Sequence, residues 1–157
     1  MIDLTEMQKY RENDRIEAKK ALGGLPESIW ETYSAFANTH GGIILLGVEE
    51  YRDKSLHPVD IAYPEEMIAE LFCGLNDKRL VSANVLSPSD VTVETAEGKR
   101  IIVVRVPRAE GASYPIFING DPVNGVYFRL GEADHRITST SLSAEQLAEI
   151  DSIRREK

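Results

Sequence analysis

Charged and apolar residues alternate near the start of the chain, in the segment Arg15–Lys20. The apolar residues of this segment would point to one side of a half-buried strand and its charged residues to the other. Glu17 and Lys19 would then share a strand face, as a carboxylate and an ammonium group do in many metal-dependent nucleases. A surface ion pair of little energetic weight accounts for the same spacing. Both interpretations stay open at this point.

A glycine-rich turn, Asn38–Gly42, is the second candidate site. Backbone N–H groups beside Gly41 and Gly42 could hold a phosphate group. Glycine is equally suited to end a helix and turn into a buried strand, because it adopts positive φ angles without strain. A turn that follows a helix lies at the negative end of the helix dipole, which disfavours an anion. The structural role is therefore the favoured interpretation.

The overall charge of the chain is acidic, since 26 Asp and Glu against 18 Lys and Arg give a net charge of −8. Such a chain is not expected to hold nucleic acid strongly through sequence-independent phosphate contacts, which depend on lysine and arginine. The basic residues are scattered and form no long run of like charge. A local basic face remains compatible with this composition, because the electric field depends on where the charges lie.

Several other kinds of chemistry lack the residues that they need. The chain has no G-x-x-x-x-G-K-[ST] loop, so ATP binding is not expected. Its three histidines, His40, His57 and His135, are far apart in sequence and form no ligand pattern. Cys73 is the single cysteine, which excludes an internal disulfide and favours a reducing, cytoplasmic location. No apolar run approaches the roughly 18 residues of a membrane span, so no membrane partner is expected.

Apolar periodicity predicts alternating strands and helices in the first half of the chain. Proline suits the first turn of a helix, and glycine is a common terminator, which makes Gly74 the predicted end of the second long helix. The continuous apolar run around Gly47, from Ile43 to Val48, predicts a central strand covered on both faces. The predicted elements are a strand at 15–20, a helix from Pro26 to Asn38, a strand at Ile43–Val48, a loop at 51–62 and a helix from Pro64 to Phe72.

The second half of the chain is richer in strands. Alternation at Val91–Thr95, the turn Glu97-Gly98 and the apolar run Ile101–Val106 together predict a hairpin. Two more short strands are predicted at Tyr114–Asn119 and Val126–Leu130. A capping box of Ser143 and Gln146 begins a last helix. The predicted fold is one α/β (α+β) domain over residues 1–157, with a mixed β-sheet flanked by helices.

Four blocks of the chain resemble, in order, the Schlafen/AlbA-2 family. They are Glu12 with Arg15–Lys19, the helix end Ala35–Thr39 with Gly41-Gly42, Leu46–Glu50, and the late segment Tyr127–Gly131. The family is described as a DNA-binding domain, and an older label for it is a divergent AAA region. In bacteria such domains stand at the N-terminus of transcriptional regulators. The resemblance therefore implies that residues 1–157 are the N-terminal part of a longer regulator with a downstream regulatory domain.

The resemblance implies a nucleic-acid-binding function, with DNA or RNA as partner. The implied contacts lie in the matching blocks and combine cations with polar or backbone groups: Arg15, Lys19, Arg129, Arg136, Thr39 and Gly41. Each arginine could instead pair with one of the many carboxylates of the chain. The groove interpretation requires the early strand, the acidic residues after Val48 and the late arginine segment to converge on one surface.

Two alternative functions stay open, and the first of them follows from the same family. Glu12, Glu17 and Glu49 match the positions at which the eukaryotic Schlafen core carries a metal-dependent RNA-cleaving trio, so the resemblance implies a nuclease using Mg²⁺ or Mn²⁺ as one alternative. Catalysis is not the leading expectation, because such carboxylates are also common on solvated strand faces. The other alternative is a non-catalytic dimerisation or sensor domain, with a homodimer as its assembly.

Overall fold

The central structural element is a β-sheet, to which hairpins and helices are added on both faces. The computed structural model describes residues 3–155, so the remaining ends of the predicted 1–157 domain lie outside the described residues. The strands are β1 (Ile16–Lys19), β2 (Gly42–Leu46), β3 (Val48–Glu50), β4 (Leu56–Pro58), β5 (Val91–Ala96), β6 (Lys99–Val106), β7 (Tyr127–Leu130) and β8 (Ala133–Arg136). The α-helices are α1 (Ile29–Asn38), α2 (Pro64–Leu75) and α3 (Ala144–Arg155), and 3₁₀ turns span Leu4–Lys9, Pro88–Asp90 and Gly111–Ser113.

The four-stranded sheet has the order β1-β2-β6-β5 and is mixed. Strand β1 pairs with β2 in parallel, whereas β2 with β6 and β5 with β6 are antiparallel. Strand β2 is central because it is apolar throughout and both of its faces are covered. Ile44 and Leu46 contact the core formed with α1 and α2, while Leu45 contacts the core beneath the N-terminal 3₁₀ turn and the β3–β4 hairpin. The predicted mixed α/β fold is confirmed.

The predicted strand Ile43–Val48 divides at Gly47. Its φ angle is +86°, and a Cβ atom at this position would lie 2.7 Å from Cγ1 of Ile61. Because only glycine adopts this angle readily and leaves that space, the chain turns out of the sheet there and Val48 begins β3. Strand β4 lies inside the segment 51–62, which was predicted as a loop. The acidic end of the apolar run therefore belongs to a separate hairpin.

Helix α2 continues past its predicted end. Gly74 lies inside the helix, where an added Cβ atom would collide with the ring of Trp30. This glycine is therefore explained by close packing of the α1 tryptophan, and the prediction that it terminates the helix was wrong. A similar contact holds the start of β2, because a Cβ atom at Gly42 would lie 2.7 Å from Cδ1 of Phe36.

The strand-rich second half contains two hairpins. The predicted hairpin β5–β6 is confirmed, with Ala96 paired to Lys99 across a turn whose central residues have positive φ angles. Segment 114–119 forms only isolated bridges, at Ile118 and Phe117, so the strand predicted there is absent from the described residues. Strands β7 and β8 form the second hairpin, and β8 was not predicted.

The last helix covers the outer face of the β7–β8 hairpin. Its predicted capping box is confirmed, since the Ser143 amide donates to Oε1 of Gln146 at 2.9 Å and the Gln146 amide to Oγ of Ser143 at 3.1 Å. A separate apolar core joins the helix to the hairpin and consists of Val126, Phe128, Leu130, Ile150 and Ile153. Within residues 3–155, no helix has the length and apolar character needed to cross a membrane.

Candidate functional site

Polar side chains near the end of α1 hold the β7–β8 hairpin against the helix. Asn38 Nδ2 donates to the carbonyl oxygens of Ile116 at 2.8 Å and Tyr127 at 3.0 Å, and its Oδ1 accepts from the Ile116 amide at 2.7 Å. Ser34 Oγ donates to the same Ile116 carbonyl and accepts from the Tyr127 amide. Thr39 Oγ1 accepts from the Arg129 amide at 2.8 Å. The polar residues of this block therefore position β7.

Strand β7 places Arg129 in the interior, where its side chain is 0% exposed. One guanidinium nitrogen, Nη2, lies 2.8 Å from Oε1 of Glu17, and the other, Nη1, lies 2.7 Å from Oδ1 of Asp134. The group also donates to the carbonyl oxygens of Asn13 and Ile16. These contacts satisfy the charge and the donor geometry of the planar guanidinium, which is the condition for burying it.

The ring of Phe36 completes the surroundings of Arg129. The guanidinium carbon lies 4.9 Å from the ring centroid, a distance typical of a cation–π contact. Asp134 is held from a second direction, because Thr32 Oγ1 on α1 donates to its Oδ2 at 2.7 Å. Strands β1, β7 and β8 and helix α1 thus meet at one buried ionic cluster.

Lys19 at the end of β1 and Lys20 directly after the strand extend this cluster. Lys19 Nζ lies 2.9 Å from Oγ of Ser28 and 3.8 Å from Oε2 of Glu17, and only 11% of its side chain is exposed. Lys20 Nζ lies 3.4 Å from Oε2 of Glu49 on β3. The early strand, the acidic residues after Val48 and the late arginine segment therefore converge, as the sequence predicted. They converge as ion pairs, with Arg129 on the inside.

A cluster of carboxylates lies beside this network. Oε2 of Glu12 accepts a hydrogen bond from the Ala18 amide at 2.9 Å, in a half-buried position. Burial raises the pKa of Glu12 to about 7, the nearby negative charges of Glu17 and Glu50 act in the same direction, and the Ala18 N–H acts against them. Glu12 therefore holds a proton for much of the time near neutral pH.

The predicted metal trio Glu12, Glu17 and Glu49 does not form a ligand set. Glu17 pairs with Arg129, Glu49 pairs with Lys20, and Glu50 is the β3 carboxylate that acts on Glu12. Within residues 3–155, no three side chains of His, Cys, Asp or Glu gather closely enough to hold a metal ion. As arranged, Glu17 and Glu49 are held by protein partners and the carboxylates do not form a site for Mg²⁺ or Mn²⁺.

Comparison with known proteins places this geometry in a family. The sequence profile described as "Schlafen, AlbA_2" matches residues 12–138, which include β1, α1, β2 and the β7–β8 hairpin. The chain belongs to the Schlafen/AlbA_2 family. A search of the curated proteins found no match.

Two solved structures resemble this Schlafen/AlbA_2 domain. The first is the solution NMR structure of the N-terminal domain of a RecG-related protein from Nitrosomonas europaea. That domain is 28% identical with a TM-score of 0.65, and the match covers 91% of this chain and 98% of that one. The second is the DIP2311 protein from Corynebacterium diphtheriae, at 15% identity and a TM-score of 0.52, over 78% of this chain and 21% of that chain. The second similarity shows the fold alone.

The predicted nucleic-acid contacts of the Schlafen/AlbA_2 domain divide by exposure. Arg15 and Arg136 are exposed. Thr39 is 1% exposed, and its hydroxyl group is occupied by the Ala35 carbonyl and the Arg129 amide. The Gly41 amide donates to the Phe36 carbonyl at 2.8 Å. The placement of Arg129, Thr39 and Gly41 argues for structural roles, because their polar groups already have partners inside the protein.

Arg136 lies at the edge of a polar cleft of about 520 Å³. The cleft is lined by Tyr127, Asp134, His135, Arg136, Thr138, Ser139, Thr140 and Ser141. An arginine is charged at any physiological pH, and a hydrogen bond with Tyr127 raises the pKa of Arg136 further. Hydroxyl groups beside an exposed cation suit a phosphate oxygen.

Two residues were missed by the sequence interpretation, one in the ionic cluster and one in the neighbouring carboxylate cluster. Asp134 faces Arg129 as a cross-strand neighbour in the β7–β8 register, which could have been predicted had Gly131 been read as a hairpin turn. Glu50 was passed over because Glu49 was chosen from the family resemblance, whereas Glu50 is the β3 carboxylate that acts on Glu12. Side chains alternate along a strand, so the choice between these two glutamates depends on the start of β3.

Proposed function

We propose that this chain binds nucleic acid, with DNA as the first expected partner, and acts as the binding module of a transcriptional regulator. The observation that carries the proposal is family membership over most of the chain, together with a similar domain from a RecG-related protein. The name of that protein relates it to an ATP-dependent DNA helicase, which favours DNA over RNA. A cytoplasmic location is part of the proposal, because a reduced Cys73 is compatible with it.

The proposed contacts are the exposed cations around the ionic cluster. Arg15 and Arg136 keep their predicted role, and Lys20 joins them because 58% of its side chain is exposed. Lys19 supports the surface from a mostly buried position. Glu17, Glu49 and the other carboxylates surround these cations, so we expect a weak, local interaction with few phosphates.

The affinity for a short DNA duplex tests this proposal. Two or three phosphate contacts predict a slope of log affinity against log salt of about −2 to −3, over about 50 to 200 mM salt. Arg136→Ala and Arg15→Ala should each reduce the steepness of that slope by about 1. Fluorescence anisotropy with labelled DNA measures both quantities.

Arg79→Ala is the matched control for these variants. Arg79 is 90% exposed and pairs with Asp77, just after α2 and away from the ionic cluster. This variant should bind DNA as the wild-type protein does. The proposal would be removed if the wild-type protein bound neither duplex nor single-stranded DNA, or if all three variants lost affinity equally.

Nucleic-acid cleavage is a second candidate function, favoured by one observation. Glu12 has a pKa near neutrality beside the carboxylates Glu17 and Glu50, and perturbed carboxyl groups are common at catalytic sites. Metal-dependent cleavage would require these side chains to leave their present partners. Glu12→Gln is the variant that tests whether cleavage depends on this carboxylate cluster. Glu17→Gln is less suitable, because it would also remove the partner of buried Arg129. Intact RNA and DNA after incubation of the wild-type protein with Mn²⁺ would exclude this candidate.

A regulatory role and a sensor role differ in the further domains and assembly that they require. A regulator needs another domain in the same gene product, which determination of the complete gene product would reveal. A dimerisation or sensor domain predicts a homodimer without affinity for nucleic acid. Sedimentation velocity with and without DNA separates the two.

A further inference from the structure

The tip of the β3–β4 hairpin presents a stacked pair of aromatic rings. The centroids of Tyr51 and His57 lie 3.6 Å apart, and their planes differ by 17°. Tyr51 is 48% exposed. Because Tyr51 directly follows Glu50, the pair lies beside the carboxylate cluster.

Hydrogen bonds within the hairpin hold the imidazole ring of His57 and the backbone of Tyr51. Oγ of Ser55 lies 2.7 Å from Nε2 of His57, and the hydroxyl proton is donated to Oδ1 of Asp53. Because Ser55 donates to Asp53, Nε2 of His57 must be the donor to Ser55, which fixes the imidazole ring. The Ser55 amide also donates to Asp53, and the Tyr51 amide donates to the Ser55 carbonyl. This serine is thus a structural link, and its proton is not directed towards the histidine.

Charges around the hairpin tip are nearly balanced. An open cleft of about 480 Å³ is lined by residues 49–53, including the cation Arg52 next to Tyr51. Lys54 lies 3.8 Å from Glu50. The pKa of Asp53 is lowered mainly by its hydrogen bond with Ser55, and the positive charge of Arg11 acts in the same direction. Strong binding of phosphate is not expected here, so contact with the aromatic rings would supply most of the affinity of this surface for a ligand.

A preorganised ring beside a few cations suits a nucleobase. Aromatic stacking is sequence-tolerant, because every base has a π-face, and it requires a base that is not paired within a duplex. Rings that are already fixed lose little conformational entropy when a base is added. Tyr51 could therefore extend the existing two-ring stack by one base.

We propose that the Tyr51–His57 pair stacks an unpaired nucleobase and gives this domain a preference for single-stranded nucleic acid. The inference rests on the proposed function and specifies its substrate class. Arg52 would lie beside the backbone of the same strand, and the stacked base would be recognised without sequence specificity.

Binding of a fluorescent oligothymidine and of a duplex of equal length tests this inference. Tyr51→Ala should weaken binding to the single strand by about 5- to 150-fold, the range that one lost base stack produces. Tyr51→Phe keeps the ring and should bind like the wild type. Tyr63→Ala is the matched control, because Tyr63 is 69% exposed at the start of α2 and should not contribute.

A 2-aminopurine base in the single strand gives a direct readout of stacking. Its emission should be quenched by the wild-type protein and by Tyr51→Phe, and should recover with Tyr51→Ala. Tyr51→Leu supplies a second ring-free variant if Tyr51→Ala does not fold, as judged by circular dichroism.

The outcomes separate the two proposals. Single-strand binding that is unchanged in the ring-free variants, or a wild-type protein that binds the duplex more tightly than the single strand, would overturn the stacking inference and leave the proposed function in place. A wild-type protein that binds neither nucleic acid would overturn both.

Discussion

Arg129→Met should destabilise the protein strongly, because it removes a buried charge from between two carboxylates. Glu17 and Asp134 each keep only 16% of their side-chain surface in water, and both lose their close partner in this variant. The carbonyl groups of Asn13 and Ile16 lose a donor as well. Removing one member of a buried pair costs about 3–5 kcal/mol.

Such a loss is large on the scale of a single domain. The free energy of unfolding of a domain is about 5–15 kcal/mol, so the variant would approach the limit of stable folding. A domain of this size loses about 2–4 °C in melting temperature per kcal/mol, which predicts a decrease of about 6–20 °C. Urea denaturation followed by circular dichroism and by the fluorescence of Trp30 measures the change.

Three further variants identify the cause of the Arg129 effect. Arg129→Lys keeps a positive charge but loses the forked donor geometry, so it should remain clearly destabilised. Arg15→Ala removes an exposed cation and should change stability by less than about 0.5 kcal/mol. A double substitution with Asp134→Asn should cost less than the sum of the single substitutions, because the residues share one interaction. An Arg129→Met protein with the wild-type urea midpoint, but with lost DNA affinity, would refute this account and restore Arg129 as a phosphate contact.

Two other predictions concern Glu12 and Asn38. The pKa of Glu12 in the folded protein is raised to about 7 from an ordinary value of 4.5. The folded protein therefore binds this proton more tightly than the unfolded chain does. The free energy of unfolding should fall as pH rises between these two values. Glu12→Gln should make stability less dependent on pH and stabilise the protein at pH 8 by about 1 kcal/mol. The figure is modest because the carboxyl group is only half-buried. A Glu12→Gln protein whose urea midpoint depends on pH as the wild type's does would contradict this prediction. Asn38→Ala should cost about 2–4 kcal/mol, since it leaves the Ile116 amide and the Tyr127 carbonyl without a partner. Hydrogen exchange should then show loss of protection concentrated in β7, and protection lost evenly over the whole sheet would count against a specific role in holding the hairpin.

Local pattern was sufficient to predict much of the central sheet and its first helix. The alternation of β1, the apolar run of β2 and the β5–β6 hairpin each carry their own periodicity, so their existence follows from short windows of sequence. Strand β4 ends at Pro58 and is three residues long, which gives too short a window for a periodic signal. The isolated bridges at 114–119 show the reverse case, in which an apolar segment is buried without a regular partner strand.

The candidate site was harder to predict because its residues act through distant partners. Arg129 has the sequence neighbours of a typical strand arginine, and its burial depends on Glu17, more than a hundred positions earlier, and on Asp134 across a hairpin turn. Thr39 and Asn38 belong to the block that identified the family, and their hydrogen bonds to β7 explain why a helix end carries such polar residues. The sequence indicated which segments meet, whereas packing decided which cations remain at the surface.

The third apolar core has a practical consequence for anyone who expresses this domain. The family profile ends at residue 138, whereas Ile150 and Ile153 on α3 cover Phe128 and Leu130. In a fragment that ends at the profile boundary, an apolar surface on the outer face of the β7–β8 hairpin would be exposed to water. Self-association of that fragment is the expected result. Expression boundaries drawn from homology alone would thus risk mistaking an artefact of truncation for a natural dimer.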